Sequence, residues 1–382
     1  MIDYYLIAFS IPALICLFWF FDLILSTGTN RKSKRHLAFF MLCGFFTLLG
    51  ELLFHNQAYS LYSSIYFFIV FFTIAQVPSL YLYLVSLTEN KIHLKRYLKH
   101  YLFPFITAII IAYFHYIWLS YEESIHVLQN FYSPEKLGSK QNITYIVELL
   151  SRNAFLLLAV FYLIIIHKKV SKHFRIVLNN YSNIQQKNLK WISITTVFFI
   201  LMLLISSTAC NPFLKETIYQ PEYTISIPFL LLGIVFWIIG FLGNRQKMII
   251  IPVDDSIKSV NLPEDFKKSL VAKLNQFMEE KKIYLVPDIT LIELAKEVGT
   301  NRFYLSKIIN EEFNMNFNSF INYHRIKHAI ELMQDKKEEY TNFGEIATVV
   351  GYSNYMSFIR NFKKIHKVSP GEYLSNKNKK EA

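Results

Sequence analysis

The sequence predicts an all-α protein: a seven-helix transmembrane bundle, then a cytoplasmic all-α domain with two helix-turn-helix units joined by a linker helix. Three observations carry this expectation. Seven apolar runs within residues 1–244 are each long enough to cross a bilayer as a helix, which takes about 20 residues. Basic residues between the runs concentrate on alternate loops. Beyond residue 284, one pattern of capped helix, glycine and second helix occurs twice at an offset of 52 residues.

Composition agrees with a membrane part and a soluble part. Of 382 residues, 53% are hydrophobic and only 18% are charged. The mean hydropathy is +0.27. The net charge of +12 suits nucleic acid, anionic lipid or both. Residues 1–244 hold 18 Lys+Arg and 10 Asp+Glu, whereas residues 245–382 hold 22 and 18. The tail is thus dense in charge of both signs, as a soluble domain is. Cys16, Cys43 and Cys210 lie in apolar runs without metal-ligand spacing, so they read as small buried hydrophobes and imply no disulfide framework.

The apolar runs fall at residues 4–25, 37–54, 61–87, 101–119, 146–166, 191–210 and 224–242. The first lacks a preceding basic region and does not read as a signal peptide. Arg31, Lys32, Lys34 and Arg35 occupy the first loop; Lys91, Lys95, Arg96 and Lys99 occupy the third. Lys168, Lys169, Lys172, Arg175, Lys187 and Lys190 occupy the fifth, and Arg245 and Lys247 follow the last run. The other loops hold only Lys136, Lys140 and Lys215, so the tally is 16 against 3. By the positive-inside rule the N-terminus lies outside and the C-terminal domain lies in the cytoplasm of a multi-pass inner-membrane protein. Tyr4, Trp19, Tyr101, Trp118, Trp191 and Trp237 stand near run ends, where aromatic rings anchor at the lipid boundary.

Ionisable groups in or near these runs are costly in lipid and therefore informative. Glu51 and His55 lie near the outer end of the second run, and His115 lies inside the fourth. Glu148 and Arg152 stand four residues apart near the outer end of the fifth, a spacing at which they can pair on one helical face. Interfacial placement and an internal salt bridge account for such residues in most proteins. The sharper expectation is that Glu51, Glu148 and Arg152 line an outward-facing polar pocket for an unknown signal molecule. Pro78 and Pro228 are candidate kinks.

Residues 245–283 read as a linker and a helix. Pro263 starts the helix, Lys281 and Lys282 close it, and Phe266, Leu270, Leu274 and Phe277 form its stripe. That stripe suits either packing on the following domain or pairing with a second copy in a homodimer. In residues 284–376, Thr290 and Glu293 form a capping box ahead of Leu291, Leu294, Ala295 and Val298. Gly299 turns the chain, and Asn301 caps a helix whose apolar face is Phe303, Leu305, Ile308 and Ile309. The pattern returns with Asn342, Glu345, Ile346, Ala347, Val350, Gly351, Asn354, Phe358 and Phe362. Between the copies, residues 317–333 read as a helix, with Phe320, Ile321, Ile326, Ala329, Ile330 and Met333 on one stripe. At 1.5 Å per residue it spans about 25 Å. That can hold two helices near one DNA turn apart, about 34 Å.

The stretches YLVPDITLIELAKEVGTNRFYLSKIIN, NFNSFINYHRIKHAIELM, IATVVGYSNYMSFIRNFKK and VSPGEY resemble the C-terminal DNA-binding domain of the AraC/XylS family of transcription regulators. The remainder looks like the membrane-bound type, in which a multi-span sensor replaces a soluble effector domain. The resemblance implies that Arg302, Phe303, Ser306 and Lys307 face double-stranded promoter DNA from the first unit. It implies Tyr355, Met356, Ile359 and Arg360 from the second, with Lys363 and Lys364 suited to phosphate. Pro370 and Tyr373 would close the domain. The family often has glycine after each recognition helix, where Asn314 and Lys367 stand here, and Gly344 inside a helix start is unusual.

The reading is therefore a one-component transcription regulator, with a transporter or channel bearing a regulatory helix-turn-helix-like tail as the alternative. No nucleotide loop, metal cluster or nucleophile–base constellation points to an enzyme or a cofactor; His324 and His328 lie on a helix whose apolar face is accounted for.

Overall fold

The computed structural model describes residues 4–27, 30–89, 94–184, 187–209, 222–246, 262–334 and 342–381. Cys210, Lys91, Lys215 and the joint at 248–260 lie outside them. Among the described residues every regular element is helical, apart from an isolated antiparallel bridge between Tyr181 and Thr290. Packing divides the chain into two compact units. One comprises Met1–Lys172 and Leu189–Ile250, and the other His173–Asn188 and Ile251–Ala382.

The first unit begins with α1 (Tyr4–Leu25), α2 (Arg31–His55), the short α3 (Tyr59–Ser64) and α4 (Tyr66–Thr88). Then come α5 (Leu94–Tyr113), a π-helical turn (Phe114–Trp118), α6 (Tyr121–Gln129) and the long α7 (Ser139–Asn180), whose end belongs to the other unit. It finishes with α8 (Lys190–Ala209) and α9 (Glu222–Arg245). Helix α2 packs on α1 and α4, α1 also packs on α9, and α9 packs on α8. Close approach is built in: a Cβ on Gly240 would meet the Trp19 indole at 2.4 Å. The core joins Phe9, Trp19, Phe40, Tyr83, Phe199 and Phe236. Large apolar side chains also point outward, as Leu14 (62% exposed), Leu157 (73%) and Ile234 (56%) do.

Among the described residues, six helices are long and apolar enough to cross a membrane: Leu6–Leu25, Arg31–His55, Tyr66–Thr88, Tyr97–Trp118, Ser139–Asn180 and Ile227–Arg245. The sixth expected run, 191–210, coincides with α8, whose stretch Lys190–Leu201 is apolar but shorter. The fifth run was expected to end near residue 166; its helix continues to Asn180.

The second unit holds α10 (Glu264–Glu279), α11 (Leu291–Val298), α12 (Arg302–Glu312), α13 (Phe317–Gln334), α14 (Phe343–Val349), α15 (Tyr355–His366) and α16 (Pro370–Glu381). Helix α10 packs on the domain that follows it. Leu270, Leu274 and Met278 enter the core of α11 and α12, whereas Phe266 stays 40% exposed. One small core gathers Leu294, Val298, Leu305, Ile309, Phe317 and Ile321. A second gathers Ile326, Ala329, Ile346, Val350, Phe358 and Phe362. The N-terminal half of α13 thus serves one core and its C-terminal half the other.

The tight turns have left-handed backbone. Gly299 has φ 75° and Gly351 φ 88°, and Asn314 (51°) and Lys367 (66°) share that region. At Gly351 a Cβ would also lie 2.5 Å from the Leu285 carbonyl oxygen. Gly351→Ala should therefore destabilise the second unit by roughly 1–3 kcal/mol. Urea midpoints read by proteolysis of the full-length protein measure this, and an unchanged midpoint would refute the steric account.

Candidate nucleic-acid interface and ligand cavity

Four caps set the two helix pairs. Thr290 Oγ1 accepts the Glu293 N–H at 3.3 Å, while Glu293 Oε2 accepts the Thr290 N–H at 2.8 Å. Asn301 Oδ1 accepts from the N–H groups of Phe303 (3.0 Å) and Tyr304 (2.9 Å). Asn342 Oδ1 accepts from Gly344 (2.8 Å) and Glu345 (3.0 Å), and Asn354 Oδ1 from Ser357 (3.0 Å). Gly344 now has a reason. A Cβ there would stand 2.8 Å from Asn342 Oδ1 and crowd the cap.

With Leu305, Ile308 and Ile309 buried, α12 turns its polar side outward. Phe303, expected on the apolar face, stays half-buried, and the Arg302 guanidinium lies 4.6 Å from its ring centre. Ser306 is half-buried, and Lys307 Nζ stands 3.7 Å from Glu311 Oε1. On α15, Tyr355 and Met356 are 44% and 65% exposed, and Ile359 is half-buried. Arg360 is exposed and donates to Ser357 Oγ at 3.2 Å. Lys363 and Lys364 are exposed near its C-terminus, and Lys364 Nζ reaches Ser319 Oγ at 3.4 Å. All ten expected DNA-facing residues thus stand on α12 and α15 outside the fully buried core.

Arg325 was not foreseen. It is 1% exposed and donates to the carbonyls of Tyr284 (2.7 Å) and Val286 (2.8 Å). It also lies 5.3 Å from the centre of the Tyr352 ring. Burial lowers its pKa to about 10, against the opposing pull of Tyr352 and Asp288, so it stays charged at neutral pH. It ties α13 both to the segment leading into α11 and to the turn before α15. Asn318 and Asn322, 6% and 2% exposed, share the α13 side that carries Arg325 into the interior. Polar residues at offsets of four and three were the available sign. The neighbouring His324 stacks on Tyr284 and is lowered to about 4 by burial and by Lys327, which leaves it neutral.

In the first unit, a cavity of about 160 Å³ opens between α2, α4, α7 and α9. Glu51, Glu148 and Arg152 all border it, together with apolar side chains such as Ile69, Phe155 and Phe236. The expected Glu148–Arg152 pair does not form. Glu148 Oε1 contacts His115 Nε2, and His115 Nδ1 lies 2.6 Å from Ser124 Oγ, all three residues being buried. The π-helical turn carries His115 to this place. Spacing of four residues offers proximity, but a carboxylate inside the fold takes the partner buried with it. Arg152 instead sets its guanidinium 4.3 Å from the Phe131 ring centre, and Glu51 stands 3.7 Å from His55. Gln76, also on the wall, is 2% exposed, and its Nε2 has no hydrogen-bond partner. It is the only amide in the run 61–87, a sign available in the sequence.

Residues 294–376 match the helix-turn-helix domain family. An HTH-type transcriptional regulator of Staphylococcus aureus is 34% identical over 101 residues, 26% of this chain and 13% of the relative. A response regulatory protein of Staphylococcus epidermidis is 27% identical over 100 residues, covering 26% of this chain and 38% of that protein. The HTH-type regulator YtdP of Bacillus subtilis is 30% identical over 90 residues, 24% of this chain and 11% of that protein. This chain therefore spans only 13% of the length of the Staphylococcus aureus relative. No solved structure matches it.

Arg360→Ala should weaken binding to a cognate site by roughly 1–3 kcal/mol if the guanidinium reads a base. Titration of full-length protein with that duplex tests this, and unchanged affinity removes Arg360 from the base-reading set.

Proposed function

We propose that this chain is a membrane-embedded one-component transcription regulator of the AraC/XylS type. The observation that carries the reading is a combination within one chain. Two capped helix pairs turn α12 and α15 outward, within a segment matched by the helix-turn-helix family, and six long apolar helices precede them. In this reading the pairs are two helix-turn-helix units that enter successive major grooves, with α8 as the sixth of seven spans. The outward apolar side chains of the first unit face lipid tails, where they avoid the cost they would meet in water. The charge rule places the second unit in the cytoplasm.

The cavity is the proposed sensing site. Gln76 Nε2 and the Arg152 guanidinium both supply donors there, so a ligand must carry hydrogen-bond acceptors on a small, largely apolar body. Its 160 Å³ is close to a cavity known to hold benzene, about 150 Å³. Occupancy would shift the balance between two states of the protein by its differential affinity for them.

Tags at the two termini test the topology. Protease applied to spheroplasts should remove an N-terminal tag and spare a C-terminal one. Recovery in the soluble fraction, or loss of the C-terminal tag, contradicts the reading. Arg152→Ala should leave the amount in the membrane unchanged. It should also make transcription from an occupied promoter indifferent to the growth condition that alters it in wild type, and a retained response would remove Arg152 from the sensing site.

A further inference from the structure

The chain between α7 and α8 is part of the second unit and meets it at three places. Tyr181 bridges Thr290, and the Ser182 N–H donates to the Ile289 carbonyl at 3.2 Å, both at the entrance to α11. On α13, Asn318 Nδ2 donates to the carbonyls of Ser182 (2.6 Å) and Tyr181 (3.2 Å), and Asn322 Nδ2 reaches that of Ser182 at 3.4 Å. Asn183 Nδ2 donates to Asp288 Oδ1 at 2.7 Å and to Ser353 Oγ at 2.8 Å. Asp288 precedes the first helix pair, and Ser353 immediately precedes the Asn354 cap of α15. One asparagine side chain therefore bonds both to the approach to the first pair and to the turn inside the second. Lys187 Nζ donates to the Asn183 carbonyl at 3.2 Å and lies 4.4 Å from the Tyr181 ring centre, which ties the segment to itself.

The second unit is built to receive this segment. An unsatisfied buried polar group costs about 1–3 kcal/mol. Asn318 and Asn322 are buried in α13; Asn318 Nδ2 is spent on the carbonyls of Tyr181 and Ser182, while Asn322 Nδ2 donates to the Asn318 carbonyl at 2.8 Å and also reaches Ser182. Just before the segment, Arg175, Leu178 and Asn179 of α7 face Asn310 and Asn314 across a cleft of about 290 Å³, at the C-terminal end of α12. Tyr181 follows Asn180, the last residue of α7, so displacement of that helix end moves the bonded residues directly.

We propose that residues 181–183 are a clamp that fixes the orientation of α15 relative to α12, and thereby the spacing of the two DNA half-sites the protein accepts. Because the clamp is the direct continuation of α7, it is also the place where the membrane part acts on DNA reading. The inference rests on the DNA-reading function proposed above. It adds a regulatory contact that sets which arrangement of half-sites is read.

Full-length protein in lipid nanodiscs, challenged with a random duplex DNA pool through several rounds of selection, tests the clamp. Wild type should enrich paired half-sites at one spacing. Asn183→Ala should enrich the same half-sites over a spread of spacings and bind the wild-type optimum at least threefold more weakly. Asp288→Gly removes the other partner while keeping the left-handed backbone at that position, where φ is 57°, and should act likewise. The double variant should be no weaker than the weaker single one, as expected for residues acting through one bond. Wild-type spacing and affinity in both single variants, or additive losses in the double, overturns the clamp. Failure of wild type to enrich any DNA overturns the DNA-reading function on which it stands.

Discussion

Both outward-facing helices of the second unit depend on one shared helix. Helix α13 gives Phe317, Phe320 and Ile321 to one small core and Ile326 and Ala329 to the other. Neither helix pair could stand alone. Helices of 7 to 12 residues are marginal in water, and their stability comes from tertiary packing. Because α13 is continuous over 18 residues, about 27 Å at the helical rise, it joins the two pairs through one element. Arg325 adds a charged anchor in its middle. Removing that side chain would strand the carbonyls of Tyr284 and Val286 and remove the cation beside the Tyr352 ring.

The first unit meets a different constraint. Its backbone is satisfied within helices, and several of its hydroxyls bond back to their own helix. Thr47 donates to the Cys43 carbonyl, Ser79 to Ala75 and Thr196 to Ile192. Charge is handled locally too, as Glu148, His115 and Ser124 do together in the interior. Several buried polar atoms lack a partner, among them Trp19 Nε1, Thr144 Oγ1 and Gln76 Nε2, the last on the wall of the cavity that Arg152 borders.

What could be read from the sequence follows the range of the forces involved. The caps at Thr290, Asn301, Asn342 and Asn354 were legible because each acts on a backbone N–H two or three residues away. The left-handed turns at Gly299 and Gly351 were equally local. The long apolar runs were legible by length and composition. Glu148 was assigned the wrong partner because Arg152 is near in sequence, whereas His115 is 33 residues away and reaches it only through a π-helical turn. Residues 181–183 looked like part of a basic loop. Their bonds run to residues more than 100 positions on, such as Asp288 and Asn318, and no local pattern announces them. Gly344 looked costly until the cap it accommodates was visible.

The central claim is that a DNA reader is held at the membrane by the helices that control it. Mapping genomic occupancy of the tagged full-length protein, beside a variant lacking residues 1–244, tests it most directly. The account predicts a defined set of paired-half-site promoters for the full-length protein, occupied to a degree that changes with growth condition. It predicts that the truncated protein loses that dependence. Identical, condition-dependent occupancy by both proteins, or no sequence-specific occupancy by the full-length one, would contradict it.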